Sequence, residues 1–331
     1  MIRRRTLCLL SLLVFLILCA VASVSYGAKP VSLHSIFAAL GLGSGPEFEV
    51  SVVQARIPRT LFGVIAGAAL GISGALMQAL TRNPIADPSI LGINTGASLF
   101  VVSGMAFFHI SNNSQYIWLA FAGAALTAVA VYGLASLGHG GATPIKLALA
   151  GAAASTALQS LVNTVMLPDT QVMDRFRFWQ TGSIGGVTWE DIAAQWPYLA
   201  VGFIASLLLA PALNTLALGD EVATGLGLNV ALVRGTSALT GVLLCASVTA
   251  LAGPIGFVGL MVPHFMRLLL GPDMRWVMPM SALGGGGLLL AADVLGRVLG
   301  GAGEVEVGII TALLGAPVFI FIVRKVKVRA L

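Results

Sequence analysis

Ten apolar runs of 16–22 residues recur along this 331-residue chain. They are Leu7–Val24, Leu61–Leu80, Ile90–Phe108, Ile117–Leu137, Ile145–Met166, Ile192–Leu213, Gly235–Leu251, Ile255–Leu270, Val277–Leu295 and Val307–Val323. A helix of that length matches the hydrocarbon thickness of a bilayer. Inside lipid every backbone N–H and C=O must be paired within the segment, and a continuous apolar run achieves this as a helix. Only 9% of residues are charged, against roughly 25% in a soluble domain, too few to coat a water-facing surface. The sequence therefore predicts an all-α integral membrane protein of about ten transmembrane helices, forming one transmembrane domain over residues 1–331. Arg3–Arg5 before the first run resemble a signal peptide's basic start, but the run is longer than a usual h-region and reads as a retained helix. Ile255–Leu270 is the least regular run, being short and containing Pro263, His264 and Arg267.

Charge placement orients the chain. With a cytoplasmic N-terminus, twelve of the 18 basic residues fall inside: Arg3, Arg4, Arg5, Arg82, Lys146, Arg234, Arg267, Arg275, Arg324, Lys325, Lys327 and Arg329. Lys29, Arg56, Arg59, Arg175, Arg177 and Arg297 fall outside. That is the positive-inside bias, and ten spans put both termini in the cytoplasm. Ten spans also divide into two five-helix halves of opposite orientation, the inverted-repeat plan common in transporters. The net charge of +5 forms no basic patch with interleaved aromatics, which excludes a nucleic-acid surface. Cys8, Cys19 and Cys245 lie in apolar runs without a C-x-x-C pair and read as buried small hydrophobes.

One interior stretch breaks the apolar rhythm. Leu216–Ala231, "LALGDEVATGLGLNVA", is too polar to span and too apolar for a bare linker. Leu218, Val222 and Leu226 share a helical face beside the paired acids Asp220 and Glu221. The pattern predicts two short helices joined near Gly225–Gly227, lying across the cytoplasmic mouth of the bundle as a docking element. An exposed apolar ridge of this kind marks an interaction site, although acids ahead of an apolar helix also suit a plain helix start.

The most distinctive sequence is "RIPRTLFGVIAGAALGISGALMQALTRNPIADPSILGINTGAS", Arg56 to Ser98. Arg56 and Arg59 flank Pro58, which reads as the first turn of the second long helix. Two cations there oppose the helix dipole, so another role is expected of them. They either pair with carboxylates of an external partner or snorkel to lipid phosphate. Gly63, Gly67, Gly71 and Gly74 form a small-residue face suited to close helix packing. Asn83, Pro84, Asp87 and Pro88 then make a double turn.

These blocks in this order resemble the permease subunits of bacterial ABC importers for iron–siderophores, haem and cobalamin, the FecCD-type family. "FWQTGSIGGVTWEDI" (Phe178–Ile192), "LGDEVATGLGL" (Leu218–Leu228), "GPIGFVGLMVPHFMRLLLGPDMRW" (Gly253–Trp276), "LLAADVLGR" (Leu289–Arg297) and "EVEVGIITALLGAPVFIFIVRK" (Glu304–Lys325) extend the resemblance over nearly everything after residue 50. It implies a cobalamin-permease-like fold in the bacterial cytoplasmic (inner) membrane, and a homo- or heterodimer with a second permease subunit. Two ATPase subunits would dock on the loop holding Asp220, Glu221, Val222, Gly225, Leu226 and Gly227. A periplasmic or lipid-anchored substrate-binding protein would dock outside on the positions matching Arg56, Arg59 and Arg297. For Arg297, an i,i+4 pair with Asp293 is the competing role. The turn Ala142–Lys146 departs from the family's small hydroxyl gate residues, and Glu304-Val305-Glu306 lacks the usual proline after glutamate.

The chain carries no G-x-x-x-x-G-K-[ST] phosphate loop, so ATP and Mg²⁺ belong to a partner, and no cofactor is expected here. His264 has no second ligand nearby and reads as a packing group; no metal site is expected. Gln78, Gln159 and Asn163 lie within spans, where polar side chains face a bundle interior or cavity, and are candidate pathway residues. An ion-coupled transporter would need mid-helix acids, and an intramembrane enzyme would need a nucleophile–base or metal constellation. The sequence shows neither pattern. The reading is an importer permease for ferric siderophore, with haem or cobalamin as the alternative cargo.

Overall fold

The computed structural model describes residues 2–27, 30–39, 41–84, 86–110, 113–137 and 143–325. Lys29, Ala142, Lys327 and Arg329, used in the charge and gate readings, lie outside the described residues. The described chain is helical: α1 (Ile2–Ser25), α2 (Leu33–Ala39), α3 (Glu47–Thr81), α4 (Ile93–Phe107), α5 (Asn113–Ser136), α6 (Pro144–Met166), α7 (Thr170–Gln180), α8 (Trp189–Leu216), α9 (Asp220–Gly225), α10 (Val230–Ala252), α11 (Val258–Leu270), α12 (Met274–Gly300) and α13 (Val307–Lys325), with 3₁₀ turns at Pro88–Leu91 and Gly301–Gly303. Each of the ten apolar runs falls on one of α1, α3, α4, α5, α6, α8, α10, α11, α12 and α13. Seven of these are long and apolar enough to cross a membrane unaided; α4, α11 and the apolar part of α13 are shorter.

The packing follows two corresponding halves. Helix α3 packs on α12 and α11 as α10 packs on α5 and α4, and α4 meets α6 as α11 meets α13. Five is odd, so corresponding helices run in opposite directions. The third helices of the two halves, α4 with 15 residues and α11 with 13, are both short. Each follows an irregular stretch ending in a left-handed residue, Gly92 (φ 71) and Phe257 (φ 68).

Helix α3 is the axis of the bundle. Its 35 residues span roughly 52 Å at the α-helical rise. It begins at Glu47, well before the arginines, with Glu47 and Glu49 in its first turn, where the dipole favours acids. Arg56 and Arg59 are therefore interior to the helix, and Pro58 lies inside it rather than in its first turn. The apolar pattern starts late because the first turns stand outside the hydrophobic zone. The glycine face packs as expected: a methyl group on Gly67, Gly71 or Gly74 would collide with the carbonyls of Gly285, Ser281 and Gly259. Backbones this close leave no room for a side chain, which is how small residues bind helices in lipid.

Candidate functional site

Three places carry the polar chemistry: one end of the bundle around Arg59, the opposite end around α9, and a cavity between them.

At the first end, Arg59 reaches from α3 to two acids. Its Nη2 and Nε donate to Asp293 Oδ1 at 2.8 and 3.1 Å, and its Nη1 donates to Glu304 Oε2 at 2.8 Å. Asp293 on α12 also pairs with Arg297 one turn on, at 2.9 Å. Arg297 donates to Ser23 O (2.9 Å) and Ser23 Oγ (3.0 Å) on α1, and Ser23 Oγ shares a hydrogen bond with Thr60 Oγ1. Arg56 donates to Val24 O at 2.9 Å. The cluster thus ties α1, α3, α12 and the Glu304 segment together. Asp293 and Arg297 have side chains only 2% exposed, while Glu304 is 40% exposed. The Arg297–Asp293 contact is an ion pair outside hydrogen-bond geometry, leaving Asp293 Oδ2 and Arg297 Nε as buried polar atoms without a hydrogen-bond partner. Arg297, expected to face a partner, is covered: the i,i+4 pair claims it, and α1 lies over it. Asp293 is buried between two guanidiniums, with Arg59 on one of its oxygens and Arg297 on the other.

The opposite end holds α9. Leu218, Val222 and Leu226 are exposed there (63%, 49% and 66%), while Ala223 is fully buried and anchors the helix. The expected pair of short helices is one helix. Asn229 caps the next, accepting from Leu232 N at 3.0 Å, and that helix is already α10. Leu228 packs against the core rather than extending the exposed ridge. Gly227 (φ 83) and Gly219 (φ 115) take the left-handed turns flanking α9. Gly225 is helical, with open space around it, so it is not the hinge the spacing suggested. Asp220 pairs within the chain, with Arg82 at 2.7 Å and Arg234 at 2.9 Å, and Glu221 is exposed.

Between the two ends lies a cavity of about 480 Å³ lined by Asn94, Thr95 and Ser98 of α4, Gln159 of α6, Gln180 and Phe257, among others. Both short helices, α4 and α11, start at it. Paired broken or short helices at corresponding places in inverted halves mark transporter binding sites. Gln159 also donates to Asn163 Oδ1 at 3.2 Å. On α6, Thr156, Ser160, Asn163 and Thr164 are exposed beside the half-exposed Gln159, giving a polar stripe at helical spacing. Gln78 is elsewhere. It is 2% exposed and donates to Gly259 O and Leu260 O while accepting from Arg267. It fastens α3 to α11 and does not line this cavity. Sequence reasoning missed Asn94 and Thr95, since positions two and three residues after the left-handed Gly92 gave no periodic signal. Among the described residues no cluster of three His, Cys, Asp or Glu could hold a metal ion.

The model of the FecCD transport family matches residues 13–325. The chain belongs to the FecCD transport family. It is 42% identical over 314 residues to a protein of Bacillus subtilis (strain 168) named as a probable siderophore transport system permease protein, YfiZ, covering 95% of this chain and 94% of that one. It is 41% identical over 322 residues to the ferric enterobactin transport system permease protein FepD of Escherichia coli (strain K12), covering 97% and 96%. A solved structure described as a metal-chelate type ABC transporter in an inward-facing conformation superposes with a TM-score of 0.84 at 28% identity, over 97% of this chain and 100% of that chain. The protein is a multi-pass permease subunit of a bacterial ABC importer and not itself an ATPase. As such it works with an ATPase and a substrate-binding protein.

Proposed function

We propose that this permease carries a ferric siderophore across the cytoplasmic membrane by alternating access, as one subunit of a dimeric pathway. The observation that carries the reading is the polar stripe on α6 running to the cavity at the starts of α4 and α11. Thr156 and Ser160 bond their own helix, but the amides of Gln159 and Asn163 are costly to leave to lipid, and intramembrane polar groups of this kind face a bundle interior or an aqueous path. A second permease subunit against this face would close the path. The proposed pathway residues are Gln159 and Asn163, joined by Asn94, Thr95 and Ser98.

The ends then divide the work. The α9 end faces the cytoplasm with both termini, consistent with the basic-residue bias, and the ridge of Leu218, Val222 and Leu226 seats an ATPase subunit. The Arg59 end faces outward. There Arg56 and Arg59 are the cations a binding protein's carboxylates reach, with Arg297 supporting from behind. Support for the siderophore cargo comes from YfiZ and FepD, whose names carry siderophore and ferric enterobactin transport. The chelated iron is cargo and needs no protein ligand.

The test is uptake into vesicles holding the reconstituted importer, with labelled ferric siderophore, haem and cobalamin compared in parallel. Siderophore uptake that falls in Gln159→Leu and Asn94→Leu variants, with ATPase and binding protein still bound, is the expected result. Haem or cobalamin uptake without siderophore uptake would overturn the cargo, and normal uptake by both variants would overturn the pathway.

A further inference from the structure

The resemblance places Asp220 in the loop on which the ATPase would dock, but the structure gives its carboxylate partners within the chain. Oδ1 accepts from Arg82 Nη2 at 2.7 Å and from Arg234 Nη2 at 3.1 Å. The same Arg82 Nη2 donates to Leu216 O at 2.7 Å. Arg82 ends α3, Arg234 lies in the second turn of α10, and Leu216 is the last residue of α8. One carboxylate therefore joins the first turn of α9 to the end of α3 and the start of α10, and Arg82 itself reaches the end of α8. Arg82 has φ 50, a backbone conformation unfavourable for a residue with a side chain, so its contacts over-determine that position.

The rest of α9 is loosely attached. Gly219 and Gly227, the turns at either side, have open space about them, and Val222 and Leu226 project away from the bundle. A force applied to the exposed ridge would tilt α9 about Ala223 unless a side-chain tie passed it on. The tie leads to α3, which continues to Arg59 at the opposite end and packs on α12, α10 and α11 along its length.

We propose that Asp220 is a positioning residue: its ion pairs with Arg82 and Arg234 transmit movement of the docked α9 to α3 and α10, and it makes no essential contact with the ATPase. This rests on the reading of α9 as the ATPase-docking helix. A structural element that both ends of the molecule can bias is the physical requirement for coupling.

The experiment uses the assembled importer in lipid vesicles and reads two quantities. One is ATPase retained on the purified complex. The other is stimulation of ATP hydrolysis by the binding protein added on the far side. In Asp220→Asn the ATPase stays bound while stimulation falls roughly fivefold. Arg82→Gln, which breaks the same contact from α3, does the same, and the double variant adds little to either single one. Asp220→Glu, which keeps the charge, restores most of the stimulation. Loss of the ATPase in Asp220→Asn but not in Arg82→Gln would overturn the proposal and make Asp220 a contact for the partner. Unchanged stimulation in both would overturn it as well. Leu226→Asp is the control for the underlying reading: if that variant keeps its ATPase, the docking assignment has failed instead.

Discussion

The two ends of the bundle are built on opposite plans. Around Arg59 the charges pair within the chain, with two arginines sharing one carboxylate that is 2% exposed. Around α9 the charges are exposed by 42% and 43% in the Arg82–Asp220 pair, and the apolar side chains stand open beside them. A buried ion pair broken on one side leaves an uncompensated charge in a low-dielectric site, whereas an exposed pair is replaced by water. The same residue types are therefore costly to remove at one end and cheap to remove at the other.

The largest expected effect is at the buried end. Asp293→Ala strands Arg297, leaves Arg59 with Glu304 alone, and should destabilise the protein by about 3–5 kcal/mol. Thermal unfolding of the purified permease in detergent measures this, and adding Arg297→Met should recover part of the loss. An unchanged midpoint would show that water reaches the cluster and would erase the contrast. Next comes the open ridge. Leu226→Asp should weaken ATPase binding by about 2 kcal/mol, the cost of losing a buried apolar anchor, with unfolding little changed. Titration of the ATPase against the solubilised permease checks it.

A smaller effect separates the two glycines of the loop. Gly227→Ala should cost about 1–2 kcal/mol because its φ is 83, whereas Gly225→Ala should be neutral or slightly stabilising in a helical site. Equal melting points for the pair would contradict the turn assignment. Smaller still, Glu304→Gln removes the exposed partner of Arg59 and should change stability by about 1 kcal/mol or less. If Arg59 is the docking cation, the same variant should bind the binding protein more tightly, since Glu304 no longer occupies the guanidinium. Weaker binding would move the docking contact elsewhere. Least of all, Asp220→Asn should leave the unfolding midpoint within about 1 kcal/mol of the parent, which a calorimetric scan checks.

Much of this molecule was legible before its coordinates. The ten apolar runs became ten helices because lipid length and backbone pairing leave one solution to such a run. The glycine face of α3 was legible for a similar reason, since only a close helix contact calls for small residues at that spacing. The ridge at Leu218, Val222 and Leu226 was visible as a helical face too apolar for its surroundings. Helices α2 and α7, and the first turns of α3, gave weaker signals because they lie outside the apolar runs, where hydropathy does not mark an edge.

What the sequence by itself determined is local and periodic: which segments span, which residues share a face, where charges sit along the chain. The tertiary structure alone decided the partners. It took Arg297 from the surface and gave it to Asp293 and Ser23, buried Gln78 against Arg267, and paired Asp220 with Arg82, 138 residues away. It also brought Asn94 of α4 and Gln159 of α6 to one cavity. Composition and spacing act within a few turns of helix, while an ion pair is settled by which charges a whole bundle brings together and how little water remains between them.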